Sequence, residues 1–321
     1  MIKFSRLAVL LALPLGAFAA DPALLQMILP DSQVVAGLEV TQAKGSLFGQ
    51  YVLSHLSVND NKLQQFISQT GFDPTKDVSE IVIASNWKPN TPDTQWLVLA
   101  DGTFNVSKIT AAAQANGGVP VVYQGVNLVT HAAASSSQLA TAFGFLSPTV
   151  GLAGDITSVK AAIDRKQTNA PTVSAVFTDV QQVSANNDFW FVTLVPLSNF
   201  AGAIPDSNLS GALQGNLFAA INQCSGGILF GDTVTISAEA VTRSDKDAQA
   251  LVDVVKFFAG LVQMNKQNNP AATLLDTLQA SASGNTTNIT LSIPEQALEQ
   301  LLNTAPSHAR GQGNKASLRI N

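Results

Sequence analysis

Residues 226–268 constrain the fold more than any other stretch, because two structural periods follow each other there. Apolar residues first alternate with polar ones, which is typical of a half-buried strand. They then recur every three or four positions, which predicts an amphipathic helix beginning at Ser244. The alternating residues are Val234, Ile236, Ala238 and Ala240; the helical ones are Leu251, Val254, Val255, Phe258, Leu261 and Val262. A strand pair covered by one helix is a unit of an α+β sandwich.

The rest of the chain repeats this kind of unit. Each half predicts the order strand, helix, strand, strand, helix, strand, which is that of a split β-α-β, or ferredoxin-like, unit. We therefore predict an α+β fold of two tandem split β-α-β (ferredoxin-like) sandwich units, related by internal duplication. The sheet is expected to be mainly antiparallel, with helices on one face. The first unit covers residues 20–170 and the second 171–303, with a linker at 167–172.

The first nineteen residues have the pattern of a secretory signal peptide. Lys3 and Arg6 precede a short apolar stretch, and Ala17-Phe18-Ala19 is a small-x-small cleavage site. We predict cleavage after Ala19 and a periplasmic or secreted location in a bacterium. The apolar stretch is short for a membrane anchor, and the most apolar later helix, at 251–264, carries two charged residues. We therefore expect no transmembrane segment after cleavage.

The charge balance argues against binding to nucleic acid. The formal net charge is −5, and removing Lys3 and Arg6 changes it to −7, with no large basic patch left. Residues 304–321 contain basic residues and no acidic ones, and we expect them to form a disordered basic tail. A sharper alternative for this tail is loose contact with an anionic envelope polymer or lipid.

The sequence contains no recognisable catalytic pattern. Its three histidines, which share no motif, are His55, His131 and His308. Ser85-Asn86-Trp87-Lys88 matches Ser-x-x-Lys, but it runs into Pro89 and so predicts a turn rather than a nucleophile. The lone Cys224 excludes an intramolecular disulfide. It ends a helix predicted at 209–224 and is interpreted as a buried thiol. We predict no enzyme activity, no catalytic residue, no cofactor and no metal site.

The three tryptophans are the candidates for a contact surface. Trp190 lies between Phe189 and Phe191 in a predicted strand, so its side chain points away from theirs. The strand face that carries Trp190 belongs either to the core or to the protein surface. Trp87 and Trp96 flank a proline-rich turn, which is another candidate contact site. The predicted contact surface therefore consists of Trp190, Trp87 and Trp96.

Three short sequence segments carry a family resemblance. They are Leu29-Pro30-Asp31-Ser32 before a strand, the turn Gly71-Phe72-Asp73-Pro74 before another, and a helix at 245–266 paired with a closing strand and helix at 289–302. Together they resemble exported bacterial proteins of unknown function built from duplicated α+β units. The resemblance implies an envelope location, and it carries no activity and no functional residues.

The sequence as a whole predicts an exported, non-enzymatic cell-envelope protein that acts through surface interactions with an unknown envelope protein. One alternative is a periplasmic carrier of an apolar small molecule or lipid. A cavity beneath 251–264, lined by Phe257 or Phe258, would favour this carrier. A second alternative is an envelope hydrolase, which requires His131 within hydrogen-bond reach of a serine and an aspartate.

Overall fold

The computed structural model describes residues 20–56, 61–88, 91, 93–133, 139–169, 176–199, 218–264 and 270–304. Some predictions lie wholly or partly outside these ranges. They include the signal peptide, the linker at 167–172 from residue 170 onward, the helix expected at 209–224 over its first nine residues, and the tail from residue 305 onward.

Twelve strands form one sheet within the described residues. In chain order they are β1 Val34–Glu39, β2 Val78–Ser85, β3 Trp96–Gly102, β4 Val119–Tyr123, β5 Val126–His131, β6 Thr141–Phe145, β7 Val150–Asp155, β8 Phe189–Thr193, β9 Ile221–Leu229, β10 Thr233–Thr242, β11 Gln279–Ser283 and β12 Thr286–Pro294. Their spatial order is β11-β12-β10-β9-β8-β1-β2-β3-β7-β6-β5-β4, and every pairing is antiparallel.

The helices cover both faces of this sheet. They are α1 Pro22–Leu25, α2 Val40–Gly45, α3 Leu47–Leu56, α4 Asn61–Thr70, α5 Pro74–Asp77, α6 Val106–Ala115, α7 Ile156–Thr168, α8 Phe177–Ser184, α9 Asp245–Met264 and α10 Glu295–Thr304, with 3₁₀ turns at Phe218–Ala220 and Pro270–Thr277. Helices α1, α7 and α8 pack on one face, here called the α7 face. Helices α2 and α6 pack on the other, here called the α6 face. The prediction of helices on one face is therefore wrong.

The central strands explain why both faces need helices. In β2, Val82 belongs to the core of the α7 face, whereas its neighbour Ile81 packs into the core of the α6 face. Successive side chains of a strand point to opposite faces, so apolar residues at consecutive positions leave two surfaces to bury. A sheet of this composition cannot leave one face in water.

The mixed fold with a large antiparallel sheet confirms the predicted α+β class, but the two tandem ferredoxin-like units are not confirmed. A split β-α-β unit places another strand between the two strands that its helix connects, whereas β4, β5, β6 and β7 pair with one another in chain order. β1 pairs with both β2 and β8, so strands from the two predicted halves form one sheet. The duplication and the boundary near residue 170 stay predictions.

The unit at 226–268 folds largely as its pattern predicts. β9 and β10 form the hairpin, and Ser244 caps α9 by accepting a hydrogen bond from the N–H of Asp247 at 3.2 Å. Cys224, however, lies in β9, so the helix predicted at 209–224 is wrong for 221–224. Pairing with β8 and β10 on both sides holds this segment extended. Burial raises the pKa of the Cys224 thiol to about 11, which fits the predicted buried cysteine.

Trp190 lies in the core rather than on a contact surface. It is 1% exposed and belongs to the α7 face, directly opposite Gly37 in the pairing of β8 with β1. A Cβ atom at Gly37 would overlap the indole ring. Phe189 packs into the core of the α6 face, and Phe191 points to the same side by alternation and packs into the cluster that contains Leu251 of α9. The opposite face, which carries Trp190, is covered as well. Trp190 is therefore corrected from a contact residue to a core residue.

No helix in the described ranges is both long enough and apolar enough to cross a lipid bilayer.

Gly37→Ala should lower the free energy of unfolding by about 1–3 kcal/mol, because the new methyl group displaces the Trp190 ring. Urea unfolding followed by tryptophan fluorescence and circular dichroism measures the change. Gly45→Ala is the matched control, since a Cβ there meets no atom within 4 Å. An equal loss of stability in both variants would contradict this account of Trp190.

Candidate functional site

An apolar cavity of about 820 Å³ lies on the α6 face. Side chains of β3, β5, β6 and β7 form its floor, and residues of α4 and α6 lie above them. The cavity is therefore built between a sheet and two helices that both lie between β1 and β4 in the chain. It does not lie beneath α9, the place where a cavity was expected to favour the carrier alternative.

Small residues in the middle of the floor create the space. Ala100 of β3 lies opposite Gly151 of β7, and Val98 lies opposite Ala153 in the same pair of strands. All four line the cavity. Side chains of this size cannot reach the helices above them, and protein interiors otherwise close such gaps by packing. The room in the cavity thus follows from the register of β3 with β7.

Aromatic rings form the wall next to this floor. The Phe72 and Phe104 ring centroids are 5.7 Å apart, those of Phe104 and Phe145 are 5.2 Å apart, and those of Phe145 and Phe143 are 6.2 Å apart. Phe143 and Phe145 stand on β6 directly opposite Ala153 and Gly151 of β7. A row of rings beside a row of small residues suits the flat or chain-like surface of an apolar molecule.

Polar side chains occur only where the cavity opens to solvent, among the described residues that line it. Gln65 and Gln69 of α4 and Asn116 at the end of α6 are exposed, and His131 at the end of β5 is half-buried. None of the described lining residues is a lysine, arginine, aspartate or glutamate. The site therefore offers hydrogen bonds at its mouth and apolar contact inside.

The structure separates the three tryptophans of the predicted contact surface. Trp96 lies at the start of β3, 37% exposed, and Trp87 lies in the turn after β2, half-buried with a positive φ of 21°. By strand alternation Trp96 shares the α6 face with Val98, whereas Trp190 is buried on the α7 face. The two exposed or half-buried rings do not line the cavity.

The geometry required for the hydrolase alternative does not occur in the described ranges. His131 lies at the cavity mouth and forms no hydrogen bond there with a serine or aspartate side chain. Histidine, cysteine, aspartate and glutamate residues of these ranges form no group of three or more that could hold a metal ion.

A row of carboxylates crosses the α7 face, and the sequence analysis missed it. Glu39 of β1 lies opposite Glu80 of β2, which in turn lies opposite Asp101 of β3. Glu39 ends β1, whereas Glu80 and Asp101 lie near the ends of β2 and β3. The three residues are far apart in the chain, so only the register between the strands shows that they form a row. Like charges directly opposite each other destabilise a sheet, which makes their protonation state important.

Protonation relieves this repulsion. Burial, followed by repulsion from Asp188, raises the pKa of Glu39 to about 7, and burial together with Glu39 raises that of Glu80 to about 8. The adjoining Glu80 side chain partly offsets the rise in the pKa of Glu39. The N–H of Asp21 donates to both carboxylate oxygens of Glu80 at 3.1 Å, which partly offsets the rise. The two glutamates therefore share protons at neutral pH.

Comparison with known proteins gives a fold and nothing more. No family model matches the chain, and no curated relative matches it. Solved structures that share the fold include two crystal forms of one protein. The structure of crystal form III of TP0453 aligns over 87% of this chain and 96% of that one, with 9% identity and a TM-score of 0.55. Crystal form IV aligns over the same shares with 7% identity and a TM-score of 0.50.

Stability should fall as pH rises through the pKa values of the glutamate pair. A raised pKa means that the folded state keeps protons that the unfolded state releases above its ordinary value of 4.5. The stabilisation is thus complete below about pH 4.5 and lost as pH rises through 7 and 8. Glu80→Gln removes one of the two titrating groups. The fall in the free energy of unfolding between about pH 5 and 9 should therefore be smaller, by a difference of the order of 2 kcal/mol.

Urea unfolding at a series of pH values measures this difference between wild type and variant. Asp93→Asn, a change at an exposed residue, is the control and should keep the wild-type slope. The assignment fails if Glu80→Gln retains that slope too.

Proposed function

We propose that this protein is an exported, non-enzymatic carrier that holds an apolar small molecule or lipid in the bacterial cell envelope. The observation that carries the proposal is the cavity of about 820 Å³ with its phenylalanine wall and with no lysine, arginine, aspartate or glutamate among its described lining residues. Ligand sites commonly have volumes of about 300–1,000 Å³, mostly apolar linings and a few polar groups. The signal-peptide pattern of the first nineteen residues supports export and a periplasmic or secreted location.

The energetics of the cavity favour an apolar occupant. Each square ångström of apolar surface that a ligand removes from water contributes about 25 cal/mol. The rings of Phe104, Phe143 and Phe145 present such surface to the cavity. An apolar ligand also gains dispersion contacts with lining side chains that the helices do not reach.

Filling the cavity should abolish binding without harming the fold. A Cβ atom at Gly151 would meet ring atoms of Phe145 and Phe104 at 3.4–3.6 Å, which is ordinary van der Waals contact. Gly151→Val therefore places its methyl groups in the cavity. We expect the affinity for the neutral probe N-phenylnaphthylamine to fall at least about tenfold, which corresponds to about 1.4 kcal/mol.

Fluorescence titration of the probe measures the affinity, and thermal unfolding checks the fold. Ser281→Val is the matched control, because it adds the same side chain at an exposed position of β11, at the opposite edge of the sheet from β4. A wild-type protein that fails to bind the probe, or equal affinity in wild type and Gly151→Val, would count against the carrier.

A second candidate function, interaction with an envelope protein, is favoured by α9. Only the first half of this helix packs on the sheet, where Ala248, Leu251 and Val252 are buried. Its second half exposes an apolar face whose residues are 45–85% exposed: Phe257, Phe258, Leu261 and Met264. The predicted apolar stripe is therefore real, but the sheet covers only part of it.

Native mass spectrometry of the mature protein from its own envelope extract separates the two candidates. The carrier should retain a small co-purifying mass, and Gly151→Val should lose it. An interaction protein should retain a second polypeptide, and the double substitution Phe257→Ser with Met264→Ser should release it, because both side chains are exposed. A small mass that survives Gly151→Val would place the ligand outside the cavity.

A further inference from the structure

The polar groups around the cavity mouth indicate which head group a ligand carries. Gln65 and Gln69 lie one turn apart on α4, and Asn116 follows α6 as its C-cap. These three side chains are amides, and His131 is the one described lining residue whose side chain can take up a proton. The described part of the lining thus contains no fixed positive charge that could pair with a carboxylate or phosphate.

The orientation of the two helices adds a second argument. Gln69 is the last residue but one of α4, with Gln65 one turn before it, and Asn116 closes the C-terminal end of α6. Both helices therefore bring their C-terminal ends to the mouth, where the helix dipole carries partial negative charge. Such ends repel an anion and favour a group that donates hydrogen bonds.

The apolar interior of the cavity argues against a positively charged head group. A positively charged head group drawn into the cavity would lose water among the rings of Phe72, Phe104 and Phe145, and no described lining residue supplies a carboxylate. Burying an unpaired charge costs far more than burying a hydrogen-bonded neutral group. An uncharged head group avoids both penalties.

We infer that the cavity binds an uncharged amphiphile whose apolar body lies along the phenylalanine wall and whose hydrogen-bond-donating head, such as a hydroxyl group, lies at the mouth among Gln65, Gln69 and Asn116. This assignment rests on the proposed carrier function and specifies the chemical class of its ligand.

Competition among three molecules with the same chain tests the assignment. Decanol, decanoate and decylammonium are each titrated against N-phenylnaphthylamine bound to the wild-type protein at about pH 8, where an imidazole is ordinarily neutral. Decanol should bind at least about tenfold more tightly than decanoate and more tightly than decylammonium. Repeating the series with His131→Gln removes any contribution from the imidazole and should leave the order unchanged.

A charge introduced at the mouth provides the matched test. Gln69→Lys should raise the affinity for decanoate by about two- to fivefold, the gain expected of an exposed ion pair, and should not improve decanol. Gln181→Lys, at an exposed position of α8 on the other face of the sheet, is the control and should change neither affinity.

The outcomes separate the class of ligand from the function itself. Equal or tighter binding of decanoate or decylammonium by the wild type overturns the uncharged head group while leaving the carrier intact. Probe binding that none of the three molecules displaces overturns the amphiphile. Failure of the probe itself to bind overturns the carrier and this inference together.

Discussion

The contact between Trp190 and Gly37 is the constraint on which the sheet depends. β1 lies between β2 and β8, so it joins strands that are more than one hundred residues apart in the chain. The indole ring fills the space above Gly37, where any side chain would collide with it. Because a glycine and the largest side chain meet at this central position, the two parts of the chain share one core instead of forming two.

The cavity arises where a glycine in the sheet has no side chain as large as tryptophan above it. On the α6 face, Ala100 and Gly151 lie opposite each other, and no ring as large as Trp190 stands over them. Phe145, beyond Gly151 in the next strand, lies at the side of the gap and does not fill it. The register determines which residue lies beside each glycine. A large residue there gives close packing, as on the α7 face, and a small one leaves open space, as on the α6 face.

Much of the local structure could be predicted from the sequence, whereas the site could not. The hairpin of β9 with β10 and the start of α9 follow from periods and caps within about forty residues, which is why they were predicted correctly. The cavity floor depends on Ala100 meeting Gly151, two residues whose separate stretches contain no sign of the pairing. The row of Glu39, Glu80 and Asp101 is hidden for the same reason. The spacing of apolar residues along the chain predicts which face of a strand each side chain occupies, but it does not determine which strands become neighbours.

Because side chains alternate between the two faces along β3, its aspartate lies on the face opposite the cavity. In β3, Ala100 lies in the cavity floor, and the next residue, Asp101, lies in the carboxylate row on the opposite face. Glu39 and Glu80 hold protons near neutral pH, so it is chiefly the Asp101 carboxylate behind the floor that makes the potential on the cavity side more negative. Low-dielectric protein between the two screens this field less than water does. The acidic face and the C-terminal ends of α4 and α6 therefore act in the same direction. Both make an anion a poor ligand for a cavity whose described lining has no charge to compensate.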